Sequence, residues 1–177
     1  IPAYDHQLYQ SIIKHKVQFI LPSVVKGTGQ FPNSVAKVVE GDNQYLLSDI
    51  ERGRSIPKLF ENYDTSFAAL NISLAIQTKV AFERVGMKDG LPVFVEGGFR
   101  HNLPYCKVLS ALYPSSEISL TNLYEASAFG AAICGKSVVE KRDPMDMSTE
   151  IKIEKDEVKK PQLEGLEDYV YEYLKLV

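Results

Sequence analysis

The 177-residue sequence is 45% hydrophobic and 24% charged, with a formal net charge of −3 at pH 7. That length supports one domain, or at most two small ones, and argues for a real core. The composition gives no sign of a basic nucleic-acid surface, no apolar run reaches the ~18 residues of a membrane span, and the first residues do not read as a charged-then-apolar leader, so a cytoplasmic protein without nucleic-acid or membrane partners is expected.

In chain order, Leu8, Ile12 and Ile13 suit a short helix between Tyr4 and Ile13, and VQFIL (17–21) reads as a buried strand that stops at Pro22. KGTGQFPNS (26–34) is a loop. VAKVVE and QYLLS, separated by Gly41-Asp42-Asn43, then suggest a hairpin with a slightly long turn. The clearest helix is 64–86, with Asp64 or Thr65 as its cap and Gly86 at its C-terminal stop. Phe67, Leu70, Leu74, Ala81 and Val85 mark one apolar face, and Ile72, Ile76 and Val80 mark a second, which predicts a helix buried on two sides.

Val93, Phe94 and Val95 form a continuous apolar strand of the kind covered on both faces. Gly97 and Gly98 break it, and Asn102 can cap a helix in which Pro104 sits in the first turn and Val108, Leu109 and Leu112 supply the apolar stripe. EISLT (117–121) alternates as a strand, and EASAFGAAICG (125–135) follows as a helix of small residues able to approach another backbone closely. Strand, helix and strand at this spacing predict a β-α-β unit, a partly parallel sheet and an α/β fold. Residues 136–161, with little periodicity outside EIKIE, read as a surface connection. The final stretch reads as an amphipathic helix with Leu163, Leu166, Val170, Tyr173, Leu174 and Val177 on its docked side, and with its tyrosines as packing and snorkelling groups.

The chemistry-bearing features are few. Cys106 and Cys134 lie in apolar segments without a second metal ligand, so both are expected as small buried hydrophobes with free thiols. His6, His15 and His101 have no triad or metal partner at the right spacing, Arg100 reads as a surface charge, and Ser127 is not in a GxSxG elbow. Gly97-Gly98 is neither GxGxxG nor a P-loop; alone it reads as a tight turn, yet missing Cβ atoms also let a ligand approach bare backbone.

VEGGFRHN, a helix, a strand and EASAFGAAICG, in that order, resemble the C-terminal domain of the FGGY family of carbohydrate kinases. Gly97, Gly98, Asn102, Glu125, Ala126, Ala128, Gly130, Ala131 and Ala132 carry the match; Pro22, Gly27 and Pro32 of FILPSVVKGTGQFPN agree with a family loop, so the likeness spans roughly 17–135. Phe99 stands where the family has Gly or Ala, Lys26, Thr28 and Gly29 interrupt the loop, and the tail beyond 136 matches nothing. The resemblance implies a ribonuclease-H-like fold of the actin and sugar-kinase superfamily, with residues 1–177 as a single domain ending in a surface connection and terminal helix (136–177). It implies ATP and Mg2+ as cofactors and a sugar as substrate, with a lean toward ketoses of the rhamnulokinase and xylulokinase kind. Gly97, Gly98, Phe99 and Asn102 would lie on the adenosine side of the ATP cleft. It further implies that the sugar-binding N-terminal domain and the general-base Asp precede the matched segment, so that the 177-residue piece alone is inactive. A non-catalytic actin-like nucleotide module, or one half of a split assembly, is the alternative expectation.

Overall fold

The computed structural model describes residues 1–123, 125–148 and 152–177. Helix α1 (His6–His15) starts where the Asp5 carboxylate accepts from the backbone N–H groups of Gln7 and Leu8 at 2.9 and 3.2 Å, and it ends at left-handed Lys16. It buries Tyr9, Ile12 and Ile13. Strands β1 (Gln18–Leu21), β2 (Lys37–Glu40) and β3 (Asn43–Leu46) form an antiparallel meander in which Phe19 faces Val39. Glu40 pairs directly with Asn43, so the turn is the two residues Gly41-Asp42 and shorter than expected; Gly41, at φ +57°, supplies the left-handed backbone that so tight a hairpin needs. The chain leaves the sheet at Leu47 for a short helix, α2 (Leu47–Glu51).

Helix α3 (Tyr63–Arg84) is capped by Asn62, not by Asp64 or Thr65: the Asn62 Oδ1 accepts from the Thr65 N–H at 2.9 Å. Gly86, at φ +78°, takes the left-handed position just past its end. Only one broad face is buried, carrying Ala68, Ala69, Asn71, Ile72, Ser73, Ala75 and Ile76. Of the first expected face, Leu70 and Val85 are exposed, whereas Ile72 and Ile76 of the second lie in the core.

Strand β4 (Val93–Val95) runs parallel to β5 (Ile118–Thr121) through helix α4 (Leu103–Leu112), which is the expected β-α-β unit. Strand β6 (Lys155–Glu157) adds an antiparallel edge to β5, so the chain carries two three-stranded sheets. Two expectations fail here. Phe94 is 52% exposed, so β4 is covered on one face only. The small-residue helix, α5 (Ala126–Glu140), has no buried residue and packs on α6 (Pro144–Ser148), which leaves Cys134 exposed while Cys106 is buried in α4. The supposed surface connection therefore holds the end of α5, α6 and β6; the first two residues of EIKIE lie outside the described residues.

Helix α7 (Leu166–Leu176) closes the core with Leu166, Tyr169, Val170 and Tyr173, while Leu174 points outward. Tyr169 and Tyr173 do not snorkel. The Tyr169 hydroxyl donates to the Gln18 carbonyl, the Tyr173 hydroxyl pairs with Ser73 at 2.9 Å, and Gln10 and the Glu164 backbone exchange two hydrogen bonds of 2.9 Å. One apolar cluster thus joins α1, β1, β2, α3, β4, α4, β5 and α7. Among the described residues no helix is long and apolar enough to cross a membrane.

Candidate nucleotide site

Strand β4 ends in Val95, Glu96 continues extended, and Gly97 at φ +60° swings the chain into a 3-10 turn, Gly97–His101. A residue with a Cβ pays a steric penalty in that conformation, so glycine at 97 is a backbone requirement. Gly98 is different: its φ is not positive, it is exposed, and a Cβ added there would meet nothing within 4 Å among the described residues. Neither the backbone nor the packing of the described residues requires glycine at 98.

The turn sits at the carboxyl ends of two parallel strands, the usual place for a ligand in an α/β sheet. The Thr121 hydroxyl donates to Glu96 Oε1 at 3.4 Å across those two ends. Phe99 projects from the turn with half of its surface exposed, its ring centroid 4.8 Å from that of Tyr105 and tilted by 50°. Burial raises the Tyr105 hydroxyl's pKa; that hydroxyl pairs with Thr78 Oγ1 of α3 at 2.8 Å, so the ring on which Phe99 rests is itself held. Arg100 is half-buried and His101 exposed on the same turn.

Asn102 closes the turn and opens α4. Its N–H donates to the Phe99 carbonyl at 3.0 Å, and its Oδ1 accepts from the Tyr105 N–H at 3.3 Å. Its Nδ2 donates inward to Asn71 Oδ1 of α3 at 2.7 Å, and Asn71 Nδ2 donates to the Tyr9 hydroxyl at 3.1 Å. A helix N-terminus ordinarily offers free N–H groups to an anion. At α4 they are largely used: Pro104 has none, Tyr105 serves the Asn102 side chain, and the Cys106 N–H serves the Asn102 carbonyl at 3.1 Å. The α4 N-terminus therefore has few N–H groups left for an anion, and the turn presents bare backbone and an aromatic ring beside Arg100 and His101. Among the described residues no three His, Cys, Asp or Glu side chains gather to hold a metal ion.

Of the residues singled out by sequence, Gly97, Gly98, Phe99 and Asn102 fall on one turn, and the helix 126–140 does not press beneath it. The loop resembling the family's lies against α3: Ser23 Oγ donates to the Thr28 and Phe31 carbonyls at 2.9 and 2.8 Å, and a 280 Å3 cleft separates the loop from Leu70, Ser73, Leu74 and Gln77. Asn71 and Thr78, which tether the turn from below, were missed. Their signal was slight: Asn71 and Thr78 stand seven apart, hence on one side of the helix, but Ser73 and Gln77 are polar residues of the same stretch and nothing in the sequence sets the first two apart.

Residues 3–143 match the family model described as "Carbohydrate kinase FGGY, C-terminal domain", and the chain belongs to that family. The matched span extends beyond the 17–135 read from motifs at both ends. Its fold is that of the ribonuclease-H-like domains of the actin and sugar-kinase superfamily. A carbohydrate kinase from Novosphingobium aromaticivorans has a similar structure, with a TM-score of 0.61 at 16% identity over 95% of this chain, a likeness of fold. The chain spans 29% of that protein's length. No curated protein matches the chain in sequence.

Proposed function

We propose that this chain is the nucleotide-side part of an ATP-dependent carbohydrate kinase that phosphorylates a sugar hydroxyl in the cytoplasm, and that Gly97, Gly98, Phe99 and Asn102 form the adenosine wall of its cleft. The observation that carries the reading is the open Gly98 backbone beside the half-exposed Phe99 ring, at the ends of parallel strands. Gly98 would let the nucleoside approach the main chain, Phe99 would stack on the base, and Asn102 would hold the turn rather than touch the ligand.

Phosphoryl transfer requires an in-line nucleophile, a general base and charge neutralisation around the moving phosphoryl group. None of these is assembled on this turn; on the proposed reading the sugar site, the base and the Mg2+ ligands would come from the opposite wall, and the chain alone should not phosphorylate a sugar. Calorimetric titration with adenosine, ADP and ATP tests the reading. Adenosine and ATP should bind with affinities within about tenfold, or about 1.4 kcal/mol, of each other. Binding of ATP with none of adenosine would place the contact on the phosphates and overturn the assignment.

A further inference from the structure

We propose that Asn71 is a positioning residue for the nucleotide turn, acting from α3 through Asn102. The inference rests on the reading of that turn as a nucleoside wall, and it adds to it the device that keeps the wall in shape.

Asn71 is fully buried, where a carboxamide is costly unless its polar groups are met. Packing does not demand it, because its helical neighbours Ile72, Ala75 and Ile76 are apolar and equally buried. Its two ends serve different elements. Nδ2 reaches the Tyr9 hydroxyl on α1 at 3.1 Å; Oδ1 takes a hydrogen bond from Asn102 Nδ2 at 2.7 Å. With Nδ2 committed to Asn71, the Asn102 carboxamide can turn only one way, and that orientation aims its Oδ1 at the Tyr105 N–H. The same residue receives the turn through its own N–H to the Phe99 carbonyl. Asn71 therefore fixes the residue at which the Gly97–His101 turn ends and α4 begins.

Seven residues along the same helix, two turns on, Thr78 holds the Tyr105 hydroxyl, and the Tyr105 ring supports Phe99. Two polar tethers from one face of α3 thus pin both sides of the α4 entrance. Phe99 can stay half-exposed in one orientation, and bare Gly98 can stay open, only because the backbone behind them is held from the core.

The test compares three variants by amide exchange of residues 97–105, normalised to global stability, and by ATP titration. Asn71→Leu keeps the branched four-atom shape, though with bulkier methyl groups, and removes both hydrogen bonds. It should speed exchange of the turn at least tenfold relative to the rest of the core and weaken ATP at least fivefold. Tyr9→Phe removes a hydrogen bond from the same network on the side away from the turn; it should lower the melting temperature yet leave turn exchange and ATP affinity within twofold. Asn71→Asp retains an acceptor for Asn102 and should restore slow exchange of the turn even where the global melt is lower. Asn71→Leu with turn exchange that only follows global stability overturns the positioning role. Wild-type protein that binds no ATP, with the turn still loosened by Asn71→Leu, overturns the nucleotide reading and leaves Asn71 as the anchor of a turn with another use.

Discussion

Gly98→Val separates a turn that merely reverses the chain from one that faces a ligand. Gly98 lacks a positive φ and a Cβ there meets nothing within 4 Å among the described residues, so the side chain can be accommodated. Replacing glycine at a compatible backbone site reduces the freedom of the unfolded chain and stabilises by about 0.4–1 kcal/mol. The variant should melt at or slightly above the wild type. The same methyl groups occupy the space a nucleoside would enter, so ATP affinity should fall at least about tenfold, or about 1.4 kcal/mol. At an ATP concentration of about 100 times the wild-type Kd, binding stabilises the wild type by about 2.7 kcal/mol and the variant by about 1.4 kcal/mol. At this chain length each kcal/mol moves the melting temperature by about 2–4 °C, so the ATP-induced shift should drop from about 5–11 °C to about 3–6 °C. Gly97→Ala is the contrast: at φ +60° it should cost about 1–2 kcal/mol of stability before any ligand is added. A Gly98→Val protein with wild-type melting and an undiminished ATP shift would refute the reasoning, because it would show that nothing approaches that backbone.

Asn62→Ala should destabilise by about 1 kcal/mol in a denaturant titration, whereas Asp64→Ala should change stability by less than half of that, since Asn62 alone caps α3. Native protein should react with one equivalent of a thiol reagent, at Cys134, and denatured protein with two, because Cys106 is fully buried and its thiol is pushed up to about 11 by burial; two fast equivalents in the native state would contradict the placement of α4. Burial pushes the Tyr9 hydroxyl up to about 12 and raises Tyr169 and Tyr173 as well. Unfolded tyrosines ionise near pH 10, roughly, so the unfolded chain releases these protons first. The corresponding stability is fully present below about pH 10 and is lost as the pH rises through the folded pKa of about 12. Denaturant melts from pH 8 to 12 should show this fall, and stability unchanged across that range would count against buried tyrosines in the core.

Much of the fold was legible because local signals agreed with one another. The stripe through Ile12 and Ile13, Pro22 after an apolar run, Gly86 behind a long helix and Leu166, Val170 and Tyr173 at helical spacing each marked an element that the structure contains. The order of β4, α4 and β5 gave the parallel pair, and the glycine turn fell where strand chemistry changed. What stayed hidden depends on tertiary neighbours. Asp64 and Thr65 were the expected caps of α3, yet both lie inside the helix, and it is Asn62 that has the extended backbone a cap needs. β6 is Lys-Asp-Glu, a strand with no apolar face, held as an edge by main-chain hydrogen bonds such as Val158 N–H to the Ile118 carbonyl at 2.8 Å. Whether apolar Phe94 or small-residue α5 is covered cannot be read from residue type, since both tolerate either surroundings.

The way α7 closes the core has a consequence for the order of folding. Its hydrogen bonds reach back across 100 residues at Ser73 and 151 at Gln18, so the cluster that α1, β1 and α3 begin is not sealed until the far end of the chain returns. Loop closure over such separations is slow compared with forming α3 or the β1–β2–β3 meander. Before α7 docks, the chain should therefore dwell as a partly collapsed species whose apolar flank, Phe19 and Ile72 among it, is open to solvent and to other chains. Refolding yield should fall with protein concentration, and a nick in the 159–165 connector should be felt as a loss of the entire core rather than of one helix.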